Sequence, residues 1–195
     1  MDENMDSLNV SRKPGTEIVK WLTYLLYAKL AGMVISVVNT IPAVALIAGW
    51  AARAVTVAVI VILFQMTAAS KNYRNAALCQ CAVLIGGMIG QSFLNLIISI
   101  CSIIAVYQEY TGHSELTAPL DYGISGRWHS LFYWQMGIGL LSGFLSSAGV
   151  VIGVMANMDS DKLVYVILLI STVISMIIEV VYLLLMKKTI ALFQK

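Results

Sequence analysis

Three ionisable side chains, Lys29, Arg53 and Glu179, fall within stretches otherwise apolar enough for lipid. A charge in hydrocarbon persists where it is paired or faces a wet cavity, so each marks a place where ions pair, a solute is held or a proton moves. Arg53 at mid-bilayer costs about 3 kcal/mol, and the many Val, Ile and Leu residues of 43–68 each return roughly 0.3–0.6, so the segment still inserts. If the first two apolar segments form a hairpin about Asn39-Thr40-Ile41-Pro42, Lys29 and Arg53 come to one depth. At roughly 9 Å they would repel by about 2 kcal/mol, and an acid is needed to compensate. Glu179 is the only acid in any other segment read as apolar. Gly32, Ser36, Gly49, Thr56, Ser171 and Ser175 share faces with the three charges, as residues between membrane helices do. The expectation is an inward-facing cluster of Lys29, Arg53 and Glu179.

Other reactive residues carry less. Gln91, Asn95 and Ser99 recur at helical spacing, a polar stripe expected to face other helices. His113 and His129 are the only metal candidates, but their spacing fits no ligand pattern, so solvated loop histidines are expected and no metal is assigned. Cys79, Cys81 and Cys101 form no zinc motif and read as packing residues. Ser125 in Gly-Ile-Ser-Gly lacks the strand-to-helix turn of a nucleophile elbow. With no nucleophile and base, no aspartate pair and no His/Glu zinc set in the spans, no enzyme activity and no cofactor are expected.

The elements that must hold these residues are helices. Of the 195 residues 59% are hydrophobic and 11% charged, against about 25% charged in an ordinary soluble domain. Runs of about 20 apolar residues satisfy their backbone in lipid only as helices. The expected fold is all-α, a polytopic transmembrane helix bundle of five spans near 21–38, 43–68, 76–106, 131–156 and 163–186. A polar cytoplasmic tail, 1–20, precedes the domain 21–186, and a basic tail, 187–195, follows it. Trp21, Tyr24 and Tyr27 form an interfacial girdle on the first span. The first apolar run exceeds signal-peptide length, so no cleaved leader is expected. Gln108 to His129, with Pro119, Gly123 and Gly126, reads as the one sizeable loop. Gly86 with Gly90, Gly139 with Gly143, and Gly149 with Gly153 stand four apart, as in close helix contacts.

Orientation is the difficulty for five spans. A cytoplasmic N-terminus puts six basic residues inside and four outside, because Lys187, Lys188 and Lys195 fall on the wrong side. Four spans plus an interfacial first helix is the alternative. The apolar face of 31–38 runs all round, which disfavours an interfacial helix.

Tyr24, Tyr27, Lys29 and Gly32, then Pro42, then Tyr73 and Ala76 form a pattern that resembles small bacterial polytopic membrane proteins of uncharacterised function. Some of these carry a zinc ribbon ahead of the first span, which this chain lacks. The five-span outline is also similar to Yip1-like membrane proteins. The resemblance implies a bacterial cell membrane and no particular activity.

The expected function is structural or interactive: charges fix helix register, and the protein assembles with itself or another membrane protein in the lipid bilayer. The alternative is transport or lipid binding of an anionic solute, drawn by two cations against one acid. A net charge of +2 with no basic patch argues against nucleic acid.

Overall fold

Two local signals set the first reversal. Pro42 has no backbone N–H and biases Ile41 away from helical dihedrals, so the first helix stops at Val38 and the next begins at Ala45 after a single tight turn over Pro42–Val44. A computed structural model describes residues 3–39, 41–89, 94–155 and 160–194, with side chains described outside 3–14, 42, 146, 149–155, 160–165 and 167–168. It contains six long helices: α1 Glu3–Val38, α2 Ala45–Gln65, α3 Lys71–Ile89, α4 Leu94–Thr117, α5 Tyr122–Met155 and α6 Ser160–Phe193. The chain is therefore all-α, as its apolar runs require.

Each helix packs against the next, and α6 packs back against α1, so the six form a closed antiparallel ring. Side chains cap two of the reversals. Ser70 Oγ accepts the Asn72 N–H at 3.1 Å at the start of α3, and donates to Glu115 Oε2 at 2.7 Å on α4. Asp121 Oδ1 accepts the Ile124 N–H at 3.0 Å and opens α5.

Two expectations are corrected here. The long third span, 76–106, is not one helix: its described residues, 76–89 and 94–106, belong to α3 and α4, which pack antiparallel. Glycine makes the close approach. A Cβ on Gly86 would lie 2.7 Å from the Ile98 side chain, and one on Gly112 would lie 2.9 Å from the Tyr73 ring, so side-chain-free positions at both ends of the hairpin let α3 and α4 touch. Gly90 and Gln91 lie outside the described residues. The second correction concerns the loop of 108–129. Helix α4 continues to Thr117 and α5 starts at Tyr122, because Pro119 sits in a short turn while Asp121 supplies the cap that restarts the helix. The segment read as a polar tail is helical from Glu3.

Among the described residues four stretches are long and apolar enough to cross a membrane: Gly15–Val38, Ala45–Ala68, Leu94–Thr117 and Leu169–Phe193. The packed core lies in one half of the ring, toward the chain termini. Leu22, Leu25, Leu63, Met66, Tyr73, Trp128 and Met186 are fully buried there. In the far half large apolar side chains such as Leu46, Ile47, Met88, Leu96 and Leu140 are exposed. An apolar outer belt is the surface lipid requires.

Candidate functional site

The site begins with a buried acid. Glu109 lies on α4 eight residues before Thr117, about 12 Å from that end at the helical rise per residue. Its side chain is 2% exposed. A buried carboxylate is tolerated only with opposite charge and hydrogen bonds to its remaining lone pairs, and three other helices supply them. Lys29 Nζ on α1 reaches Oε1 at 2.7 Å and Oε2 at 2.8 Å. Tyr182 on α6 donates its hydroxyl to Oε1 at 2.6 Å, and Gln80 on α3 donates to Oε2 at 3.4 Å. Lys29, Gln80 and Tyr182 all reach Glu109 directly, so the polar groups share one layer.

Hydrogen bonding extends from that layer toward the terminal end of the ring. The Tyr182 proton is committed to Glu109, so its oxygen accepts from His113 Nε2 at 3.3 Å. His113 Nδ1 then accepts from the Tyr73 hydroxyl at 2.8 Å. Donor follows donor in one direction, from Tyr73 through His113 and Tyr182 to Glu109, and the imidazole is the neutral Nε2–H tautomer. Trp128 stacks on His113 with ring centroids 4.5 Å apart. One turn of α4 carries two members of this chain: Glu109 and His113 stand at i and i+4 on one helix face.

On the other side of the layer lies a cavity of about 500 Å³, lined from every one of the six helices. Its polar wall is Lys29, Thr56, Gln80, Glu109, Gln135, Ser175 and Glu179, with the rings of Tyr110 and Tyr182, 5.5 Å apart, beside them. The Tyr110 hydroxyl donates to Gln135 Oε1 at 2.6 Å, which fixes that ring. Glu179 stands three residues before Tyr182 on α6 and lines the same cavity as Lys29. Among the described residues no salt bridge reaches it, because Lys29 is held by Glu109. Formally the cavity carries one ammonium against two carboxylates. Volumes of this size, with a few convergent polar groups on an apolar wall, are the ordinary form of a small-molecule site.

The expected charge cluster is thus partly assembled. Lys29 and Glu179 line one cavity, and Arg53 does not: it is exposed on α2, its guanidinium 4.8 Å from the centroid of the Trp50 ring. Trp50 lies one turn nearer the Ala45 end, so the long side chain reaches back along the helix toward the closer membrane edge. The partner of Lys29 is Glu109, which lies within α4 and not in the loop expected over 108–129. The polar stripe is corrected as well. Asn95 and Ser99 are exposed on α4, and the Ser99 hydroxyl donates to the Asn95 carbonyl at 2.8 Å within its own helix; Gln91 lies outside the described residues. His113 is not solvated but fully buried in the chain of donors, and His129 is half-buried on α5. Among the described residues no three His, Cys, Asp or Glu side chains gather as a metal site, and the three cysteines are free thiols. Gln80, Tyr73 and Tyr182 were missed; the available signal was the 102, 105, 109, 112, 113 run of small and polar residues on one face of α4.

The fold and site define an all-helical protein with helices fit for a membrane and a charged cavity enclosed by them. No protein-family model, no curated protein and no solved structure matches the chain.

Proposed function

We propose that this is a six-crossing integral membrane protein with both termini in the cytoplasm, and that its cavity binds a small organic cation within the bilayer. Six crossings follow from the closed ring: α3 and α5 run the same depth as the four strongly apolar helices between which they pack. The positive-inside pattern supports it. Arg12, Lys13, Lys20, Lys71, Arg74, Arg127, Lys187 and Lys188 fall at the end holding the termini, against Lys162 at the other and the exposed Arg53 leaning toward it, eight to two among the described residues. The weak bias of a five-span layout disappears once the third span is divided in two.

The observation that carries the ligand class is the second carboxylate. Lys29 is neutralised by Glu109, so Glu179 is the carboxylate left on the cavity wall to meet the ammonium of a ligand. The anionic solute expected from two basic groups loses its support with Arg53 on the outside. Purified protein in detergent tests this by thermal unfolding with choline, guanidinium and, as anions, acetate and phosphate. The cations are expected to raise the unfolding temperature of wild type and not of Glu179→Gln. Stabilisation by the anions, or equal responses of both proteins, would refute it. The reading in which the charges serve only helix register draws on the complete pairing of Glu109, and it predicts no ligand effect at all.

A further inference from the structure

A second groove lies on the outer surface between α5 and α6, at the end of the ring that holds the termini. It is lined by Arg127, Ser130, Leu131, Trp134, Val181, Leu184, Leu185 and Lys188, and has a volume of about 320 Å³. No acid lines it. The two cations face each other across the helix pair. Arg127 stands five residues inside the Tyr122 end of α5 and Lys188 five residues inside the Phe193 end of α6, about 7 Å below the helix ends. One residue further along each helix, Trp128 Nε1 donates to Thr189 Oγ1 at 3.2 Å, a buried bond that fixes the spacing of α5 and α6 at the level of the cations.

Below the cations the groove turns apolar in an ordered way. Ser130 comes first, exposed. Leu131 and Leu185 are buried and make the floor, while Trp134 and Leu184, 69% and 57% exposed, stand as walls. From Arg127 to Trp134, and from Lys188 to Val181, the groove descends about 10 Å. Two basic groups over a hydroxyl, at the depth of a membrane interface, with an apolar channel beneath, match an anionic head group carrying an acyl chain. A free anion would have no use for the lower part, and a protein partner would have to reach it through lipid.

We propose that this groove is a binding site for an anionic glycerophospholipid of the cytoplasmic leaflet, its phosphate between Arg127 and Lys188 and one acyl chain along Trp134, Leu184 and Val181. Basic pockets between membrane helices on the cytoplasmic side are suited to such head groups. The inference uses only the membrane orientation and is independent of what occupies the central cavity.

The test is thermal unfolding and native mass spectrometry of the full chain in detergent, titrated with phosphatidylglycerol, phosphatidylcholine or inorganic phosphate. Three variants are compared: R127Q/K188Q, the control K71Q/R74Q, whose exposed cations lie on the same face outside the groove, and L184W, which narrows the channel and keeps both charges. Wild type and K71Q/R74Q are expected to bind phosphatidylglycerol alike, R127Q/K188Q about thirtyfold more weakly, and L184W weakly despite intact charge. Inorganic phosphate should leave all unchanged. The proposal fails if K71Q/R74Q loses as much as R127Q/K188Q, if phosphate or phosphatidylcholine matches phosphatidylglycerol, or if no lipid effect appears. The unfolding temperature of each variant without added lipid provides the folding control, and none of these residues lines the central cavity.

Discussion

Removing one end of the Lys29–Glu109 pair should cost far more than removing the other. Glu109 is 2% exposed and holds both oxygens against the Lys29 ammonium; the Lys29 side chain is 30% exposed and borders a cavity where Glu179 offers a second carboxylate. Lys29→Met strands a buried anion whose remaining partners are the Tyr182 hydroxyl and the longer Gln80 contact. Stranding a buried charge costs about 3–5 kcal/mol, which for a chain of this size lowers the unfolding temperature by about 6–20 °C. Glu109→Gln strands a cation that can turn to Glu179 and keeps acceptors for Tyr182, so a loss of about 1–2 kcal/mol is expected. Lys29→Met/Glu109→Leu removes both charges and should recover most of the Lys29→Met loss. The assay is fluorescence-detected thermal unfolding in a mild detergent at fixed pH, with all three variants and wild type side by side. Equal losses for the two single variants, or a double variant no better than Lys29→Met, would refute the burial asymmetry on which the site description rests.

Three further outcomes follow from the same geometry. Gly112→Ala pushes a methyl group against the buried Tyr73 ring and should destabilise by about 1–3 kcal/mol, read as a lower unfolding temperature, while Gly87→Ala, with open space around it, should have little effect. Arg53→Gln removes only an exposed contact over Trp50 and should change stability by less than about 1 kcal/mol; a loss as large as that of Lys29→Met would return Arg53 to the buried cluster. Reporters fused at the N-terminus, at the C-terminus and in the turn at 118–121 should all give a cytoplasmic signal, and an external C-terminus would remove the six-crossing arrangement.

The class of fold was legible because helices in lipid leave a distinctive composition, and the first reversal was legible because Pro42 lacks the N–H that would continue the first helix and biases Ile41 away from helical dihedrals. The third span was misread for an intelligible reason. Apolar residues on both sides of 90–93 give no change in hydropathy, and only close helix contact reveals that Gly86 and Gly112 serve a hairpin. Glu109 was lost to the same kind of signal in reverse. Pro119, Gly123 and Gly126 look like a loop, yet Pro119 falls in the turn and Gly123 and Gly126 lie within α5, so the helices on either side keep their periodicity. For Arg53 the face of an almost uniformly apolar helix carries no record of which side meets lipid. Lys29 and Glu179 were found because an isolated charge in an apolar run is informative by itself; their true relation, one paired and one left over, needed the position of a third residue.

The distribution of packing within the ring has a consequence for traffic through it. The cavity stops at the layer of Glu109 and Tyr182, and beneath it Leu22, Leu25, Leu63, Met66, Trp128 and Met186 fill the ring to the terminal end. The chamber is a blind alley with its stopper at the end that holds the chain termini. Whatever enters can leave only by backing out, unless helices at the stopper slide apart, and the tight seams there, Trp128 to Thr189 and Ser114 to Ser125, are the ones such a movement would have to unzip.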